Sequence, residues 1–291
     1  MSISTKFKEF TNNIQIESHV ELTIINRRKK IVSRLNSDFW ETTSNSNHCK
    51  YVGSYGRKTA IHVSDIDMLF QLPYSYYKRF NAHTGNGQSA LLQEVRASLK
   101  KTYPKTYLKG DGQVLKIDFL DKMSFEIVPC FINNDGSFTF PDSNSGGSWK
   151  KTDPTPEIKE LTQKNKDWNY NLKRLCRMVR AWKDQWDVSI GGLLIDTLCY
   201  NFMQNWVYKD KSYLYYDYMT RDFFEFLGNL KKQAYWLAPG SNQQVYSLNK
   251  FQYKAKKCYH IALSAIEYEE SNYTYSANKK WREIYGTKFP L

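Results

Sequence analysis

The chain of 291 residues carries 42 Lys and Arg against 29 Asp and Glu, a formal charge of +13, and 16% of it is aromatic. That aromatic content excludes a disordered tail, and the length supports one large or two modest domains with ample core. The basic surplus points to acidic partners (nucleotides, nucleic acid or an anionic membrane surface) without choosing among them. Five cysteines, Cys49, Cys130, Cys176, Cys199 and Cys258, stand far apart with no C-x-x-C pair, which argues against a zinc site and fits reduced thiols. No apolar run approaches the ~18 residues of a membrane span, and the N-terminus lacks the continuous apolar stretch of a signal peptide. A soluble cytoplasmic protein is expected.

In chain order, Phe7, Phe10, Ile14, Ile24, Ile31, Leu35 and Phe39 recur at helical spacing, so residues 3–40 are expected as one long or slightly broken helix. Its Arg27-Arg28-Lys29-Lys30 run reads as a solvated face rather than a binding patch. A polar loop over 42–47 and a short lead-in, Lys50-Tyr51-Val52, bring the chain to Gly53-Ser54-Tyr55-Gly56-Arg57 and then Ser64-Asp65-Ile66-Asp67-Met68-Leu69-Phe70. The first string is a turn and the second a buried strand. Side chains alternate along a strand, so Asp65 and Asp67 share a face, roughly 6–7 Å apart. Two carboxylates on one face of an apolar strand repel each other and are costly to bury without a cation between them. Hard oxygen ligands favour Mg²⁺, normally shared with substrate phosphates. The turn offers backbone N–H groups, at Gly53, and the Ser54 hydroxyl to a triphosphate.

Gln71-Leu72-Pro73 ends that strand, residues 74–88 read as a mobile loop, and 89–101 as a helix capped by Ser89. Strands follow over 113–119 and 124–131. Each holds an acid, Asp118 and Glu126, and two-metal phosphoryl transfer needs a third carboxylate. Residues 141–156 read as a linker, in which Trp149 either stacks on a base or pins the loop. A long helix is expected over 157–186, carrying basic Lys173, Arg177, Arg180 and Lys183, with Lys183 falling inside the apolar arc at about 100° per residue. Residues 198–265 read as an aromatic-rich all-helical stretch. The five histidines are scattered, with no repeat or low-complexity tract.

The string Gly53-Ser54-Tyr55-Gly56-Arg57-Lys58-Thr59-Ala60-Ile61 followed by Ser64-Asp65-Ile66-Asp67 resembles the signature of the DNA polymerase β-type nucleotidyltransferases. More narrowly, it resembles the CD-NTases, bacterial relatives of cyclic GMP-AMP synthase and oligoadenylate synthetase. The resemblance implies an α+β fold: a polymerase β-like nucleotidyltransferase lobe with a long N-terminal spine helix over 1–150, and a helical substrate-binding lobe over 151–291. It implies Asp65, Asp67 and Glu126 as catalytic, metal-holding acids, since the third acid there commonly precedes an apolar pair and a proline, which favours Glu126 over Asp118. Two Mg²⁺ ions are implied, with Mn²⁺ as a substitute. Gly53, Ser54 and Lys183 would hold donor phosphates. Gly191 and Gly192 stand where relatives often carry serines, and could offer backbone N–H groups at a helix start. The implied activity joins and cyclises NTPs, ATP and GTP being the expected substrates, into a second messenger of cyclic GMP-AMP type. That product would act on a separate effector in anti-phage defence, with no obligatory nucleic acid and no membrane. Two rivals stay open: a linear or RNA-directed nucleotidyltransferase, and a non-catalytic nucleotide-binding or antitoxin-like protein.

Overall fold

The structure, a computed structural model, describes every residue except Ser64, so that member of the Asp-Ile-Asp string lies outside the described residues. The fold is α+β, and the chain divides into two compact units. One, the sheet unit, comprises Ile16–Gly56 and His62–Thr155; the other, the helical unit, comprises Met1–Gln15, Arg57–Ile61 and Pro156–Leu291.

The sequence expectation over 3–40 resolves into two helices. Helix α1 (Ile3–Asn13) starts where the Ser2 side chain accepts a hydrogen bond from the Thr5 N–H, and buries Phe7 and Phe10. It belongs to the helical unit. Helix α2 (Ser18–Phe39) turns Ile24, Ile31, Leu35 and Phe39 into the sheet unit's core. The break over 14–17 therefore hands the two apolar stripes to different cores.

In the sheet unit, β1 (Cys49–Tyr51) leads into one helical turn, α3 (Gly53–Gly56), then β2 (Asp65–Gln71), α4 (Tyr74–Asn81), α5 (Gly87–Thr102), β3 (Tyr107–Asp111), β4 (Val114–Asp118), β5 (Ser124–Ile132), β6 (Phe138–Asp142) and β7 (Ser148–Thr152). The strands order as β1-β2-β5-β4-β3, with β6 on the far end of β5 and β7 on β6. The β2–β5 pairing is parallel and the other pairings are antiparallel. Pro129, within β5, falls between the rungs shared with β4 (124–127) and those shared with β6 (131–132), where no N–H is needed for either ladder.

Three expectations fail here for local reasons. Residues 74–88 are not a loop: Tyr74–Asn81 is helical, Pro73 supplying an extended entry and Phe80 the buried anchor. Helix α5 begins at Gly87 rather than Ser89, because Asn86 is the cap and accepts from the Ser89 N–H at 2.8 Å. A Cβ at Gly87 would lie 1.9 Å from the Phe80 carbonyl oxygen, so only glycine fits. Nor is 141–156 a linker. Its Ser/Gly-rich centre is the reverse turn of the β6–β7 hairpin, with Ser145, Gly146 and Gly147 all at positive φ. Trp149 pins that hairpin: its indole N–H bonds Asn81 Oδ1 at 3.0 Å and its ring packs on Tyr77 and Phe131.

The helical unit continues with α6 (Thr155–Asp167, from Pro156 on), α7 (Asn171–Gln185), α8 (Gly192–Asn205), α9 (Tyr216–Asn229), a small hairpin of β8 (Tyr235–Leu237) and β9 (Gln244–Tyr246), α10 (Gln252–Glu270) and α11 (Thr274–Tyr285). The single helix expected over 157–186 is two, because Asn169 and Tyr170 sit at φ 49° and 62° and close α6. The side chain of Asn171 then bonds the carbonyls of Lys209 and Lys211, fixing the start of α7. The β8–β9 hairpin interrupts the stretch expected to be all helical. The core gathers Phe7, Phe10, Leu172, Val179, Trp182, Phe224 and Trp281.

Candidate active site

The acids are arranged by strand register. In the parallel β2–β5 pair Asp65 stands opposite Ser124 and Asp67 opposite Glu126. In β4–β5, Lys116 stands opposite Glu126 and Asp118 opposite Ser124. Directly opposed residues share a sheet face, and so do residues two apart on a strand, so all six side chains lie on one face. The intervening Ile66, Met68, Phe125, Ile127, Leu115 and Ile117 are fully buried on the other. Burial of that apolar face fixes the register, because a slip of one residue would turn the acids into the core.

Within this face Ser124 Oγ donates to Asp65 Oδ1 at 2.6 Å. Lys116 Nζ lies 3.2 Å from Asp65 Oδ1 and 3.3 Å from Glu126 Oε1. Hydrogen bonding to Asp65, ahead of that to Glu126, holds the Lys116 pKa above the usual lysine value. Asp65 is 48% exposed and Glu126 29%, so solvent and solutes reach both. Asp118 lies two strands from Asp65, about 9–10 Å by strand spacing, with Ser124 between them.

The turn before β2 is built around Asp67. Gly53 has φ +60°, and a Cβ there would fall 1.8 Å from Asp67 Oδ2. The Val52 N–H bonds the Asp67 carbonyl at 2.9 Å, and the Gly56 N–H bonds the Val52 carbonyl at 2.8 Å. Glycine is thus required both by backbone conformation and by a carboxylate that fills the side-chain space. Ser54 is half-buried in the same turn.

The donor set fits a hard divalent cation in chemistry: three carboxylates on one face of adjacent strands, already crossed by a cation, the Lys116 ammonium. Among the described residues no three acid, histidine or cysteine side chains are drawn together tightly enough to enclose a metal. The ammonium occupies the charge position between Asp65 and Glu126.

The other predicted residues belong to the helical unit. Lys183 is half-buried in the last turn of α7, while Gly191 caps α8 and Gly192 begins it. The Gly192 carbonyl accepts from Arg180 Nη2 at 3.0 Å. Sequence reasoning missed what surrounds them. Asp196, fully buried in α8, takes Arg180 Nη1 at 2.6 Å, Arg57 Nε at 2.8 Å and Thr59 Oγ1 at 3.0 Å. Burial alone would raise the Asp196 pKa, but the two guanidinium groups overcome it and hold it below the usual carboxylate value. A second cluster is wholly basic. The Lys173 ammonium, 7% exposed, bonds Thr162 Oγ1 at 2.9 Å and feels Lys58 and Arg177. Arg177 Nη1 bonds the Lys58 carbonyl at 3.1 Å, and its buried Nε has no hydrogen-bond partner among the described residues. The signal available in the sequence was Lys173 and Arg177 one helical turn apart on a stripe that also carries Arg180.

No helix among the described residues is long and apolar enough to cross a membrane. A Bacillus cereus (strain VD146) protein named "Probable cyclic nucleotide synthase IK1_05630" is 26% identical over 69% of this chain, and the chain spans 62% of that relative's length. Among solved structures, E. coli MS115-1 CdnC superposes with a TM-score of 0.68 in its complex with HORMA-deltaN and 0.64 with ATP. It is 13% identical, over 99% of this chain and 98% or 99% of CdnC. Bradyrhizobium diazoefficiens CdnG, solved with GTP, gives 0.68 at 9% identity, over 99% of this chain and 96% of CdnG. These likenesses show a shared fold of a nucleotidyltransferase lobe with a helical lobe. The model of the Second Messenger Oligonucleotide or Dinucleotide Synthetase domain matches residues 1–165, more than half the chain. With the acids of β2 and β5 ranged over the Gly53 turn, the chain therefore belongs to that synthetase family, the CD-NTases of the DNA polymerase β-type superfamily.

Proposed function

We propose that the protein is a Mg²⁺-dependent nucleotidyltransferase that joins and cyclises NTPs into a cyclic oligonucleotide second messenger. The observation that carries this is the in-register pair Asp67 and Glu126, with Asp65 on the same face and Gly53 folded against the Asp67 carboxylate. Asp65, Asp67 and Glu126 would hold the metal, Glu126 being preferred to Asp118 because it stands on the strand next to Asp67. Bound there, Mg²⁺ supplies acidity to an acceptor ribose hydroxyl and offsets charge on the leaving pyrophosphate.

The chain's own groups do the rest. The Gly53 turn and the Ser54 hydroxyl receive donor phosphates. Lys183 and the Gly191–Gly192 helix start, in the helical unit, are the further phosphate-binding groups that the resemblance implies. The acceptor oxygen bonds to the α-phosphorus as the bond to pyrophosphate breaks, and the hydroxyl proton leaves to solvent at the exposed carboxylate face. A second transfer closes the ring. ATP and GTP are proposed as substrates, supported by relatives solved with each and by the resemblance of the Gly-Ser-Tyr-Gly-Arg string. The product would be a purine cyclic dinucleotide of GMP-AMP type, made in the cytoplasm without nucleic acid and read by a separate effector in anti-phage defence.

The test is incubation of pure protein with all four NTPs and Mg²⁺, followed by phosphatase treatment and mass spectrometry. A phosphatase-resistant cyclic product, lost in Asp65→Ala/Asp67→Ala, is expected. Linear chains, or a strict need for added RNA, would replace this function with a polymerising one. An unchanged yield from the double variant would remove the acids from the mechanism.

A further inference from the structure

Lys116 has no part in the reaction just described, yet its ammonium reaches into the carboxylate face. Its Nζ touches both Asp65 (3.2 Å) and Glu126 (3.3 Å). Register dictates the placement: Lys116 is directly opposite Glu126, which is directly opposite Asp67. Leu115 and Ile117, its neighbours on β4, are fully buried on the far face, so the stem of Lys116 is fixed on the carboxylate face while its ammonium can move.

A lysine is suited to a temporary tenancy. Its ammonium is a point charge on a flexible four-carbon stem, without the rigid fork by which arginine grips a carboxylate. The side chain is 32% exposed, so it has solvent to withdraw into. A hard divalent cation and an ammonium seek the same carboxylate oxygens.

We propose that Lys116 is a resident counter-cation: in the nucleotide-free protein it holds Asp65 and Glu126 together, and it yields their oxygens when a divalent cation binds. The device weakens metal binding in the absence of substrate, so that a triphosphate carrying its own cation is the effective way to load the site. This rests on the assignment of the carboxylate face as a metal site.

The experiment measures Mn²⁺ binding to nucleotide-free protein by electron paramagnetic resonance, with thermal melting in chelator and in saturating Mn²⁺. It compares the parent, Lys116→Met, Lys116→Gln and Asp65→Ala/Asp67→Ala. Both neutral variants should bind Mn²⁺ about tenfold more tightly than the parent, from loss of a unit charge a few ångströms from the cation in a part-exposed site. Both should melt below the parent in chelator, with the gap closing in Mn²⁺. Equal or weaker Mn²⁺ affinity in neutral variants that melt cooperatively overturns the proposal. If the double aspartate variant binds Mn²⁺ like the parent, the metal assignment itself has failed. If it loses binding while the Lys116 variants match the parent, only the role of Lys116 has failed.

Discussion

Lys173 shows how a single side chain carries a cost that a ligand would relieve. Burial, helped by Lys58 and Arg177, brings its pKa down from the usual lysine value to about 8. A lysine whose folded-state pKa is depressed destabilises the fold fully while both states are protonated. That cost fades as pH rises from about 8 to the unfolded value near 10.5, where the unfolded chain binds more protons. Lys173→Met should therefore stabilise the protein at pH 7 by roughly 2 kcal/mol, since burying an ammonium without a carboxylate partner is unfavourable. The gain should shrink toward pH 10, as read by denaturant midpoints across pH. Sodium tripolyphosphate should raise the melting temperature of the parent and not of the variant if the cluster takes phosphate. The pair Gly53 and Asp67 carries the opposite lesson at this scale. That glycine and that acid were legible in the sequence as a turn and a strand, but the contact that makes each necessary to the other was not.

At the scale of elements, local signals named most strands and helices and failed where composition imitated a loop. The alternation in β2 and β5 is strong because one face of each is fully apolar. The register between them, which sets Asp67 against Glu126, joins strands about sixty residues apart in the chain, and no local pattern reports such a pairing. The Ser/Gly content of 143–147 reads as linker but forms the turn of a hairpin, whose strands were hidden by charged Lys150 and Lys151, which face solvent. The break between α6 and α7 was missed because Trp168 and Leu172 keep helical spacing across it. Tyr170 sits there at φ 62° and is 54% exposed. Tyr170→Gly should thus relieve left-handed strain at little packing loss and raise stability by about 1 kcal/mol. A fall in the urea midpoint would show that the ring contributes more than its exposure suggests.

At the scale of the whole molecule, neither unit is one continuous stretch. Residues 57–61 lie between the Gly53 turn and β2 in sequence but belong to the helical unit. There Arg57 and Thr59 share the buried Asp196 with Arg180. Neutralising that carboxylate would strand two buried guanidinium groups. Asp196→Asn should cost about 3–5 kcal/mol, measurable as a drop in the urea midpoint. A drop below 1 kcal/mol would mean that the arginines find other partners. Nothing in the sequence tied Arg57 to an acid 139 positions away, because a buried ion pair of that span has no periodicity.

The same discontinuity has a temporal side. Phe7 of α1 rests edge-on against Trp281 and Phe289, at ring centroid distances of 5.2 and 5.1 Å. During synthesis at about 5–20 residues per second, Phe7 leaves the ribosome roughly 15–60 s before those rings exist. For that interval an amphipathic helix with two bare phenylalanines trails from the nascent chain. The sheet unit, whose segments end at Thr155, can close well before it. The helical unit must wait for its last-made residues to bury its first.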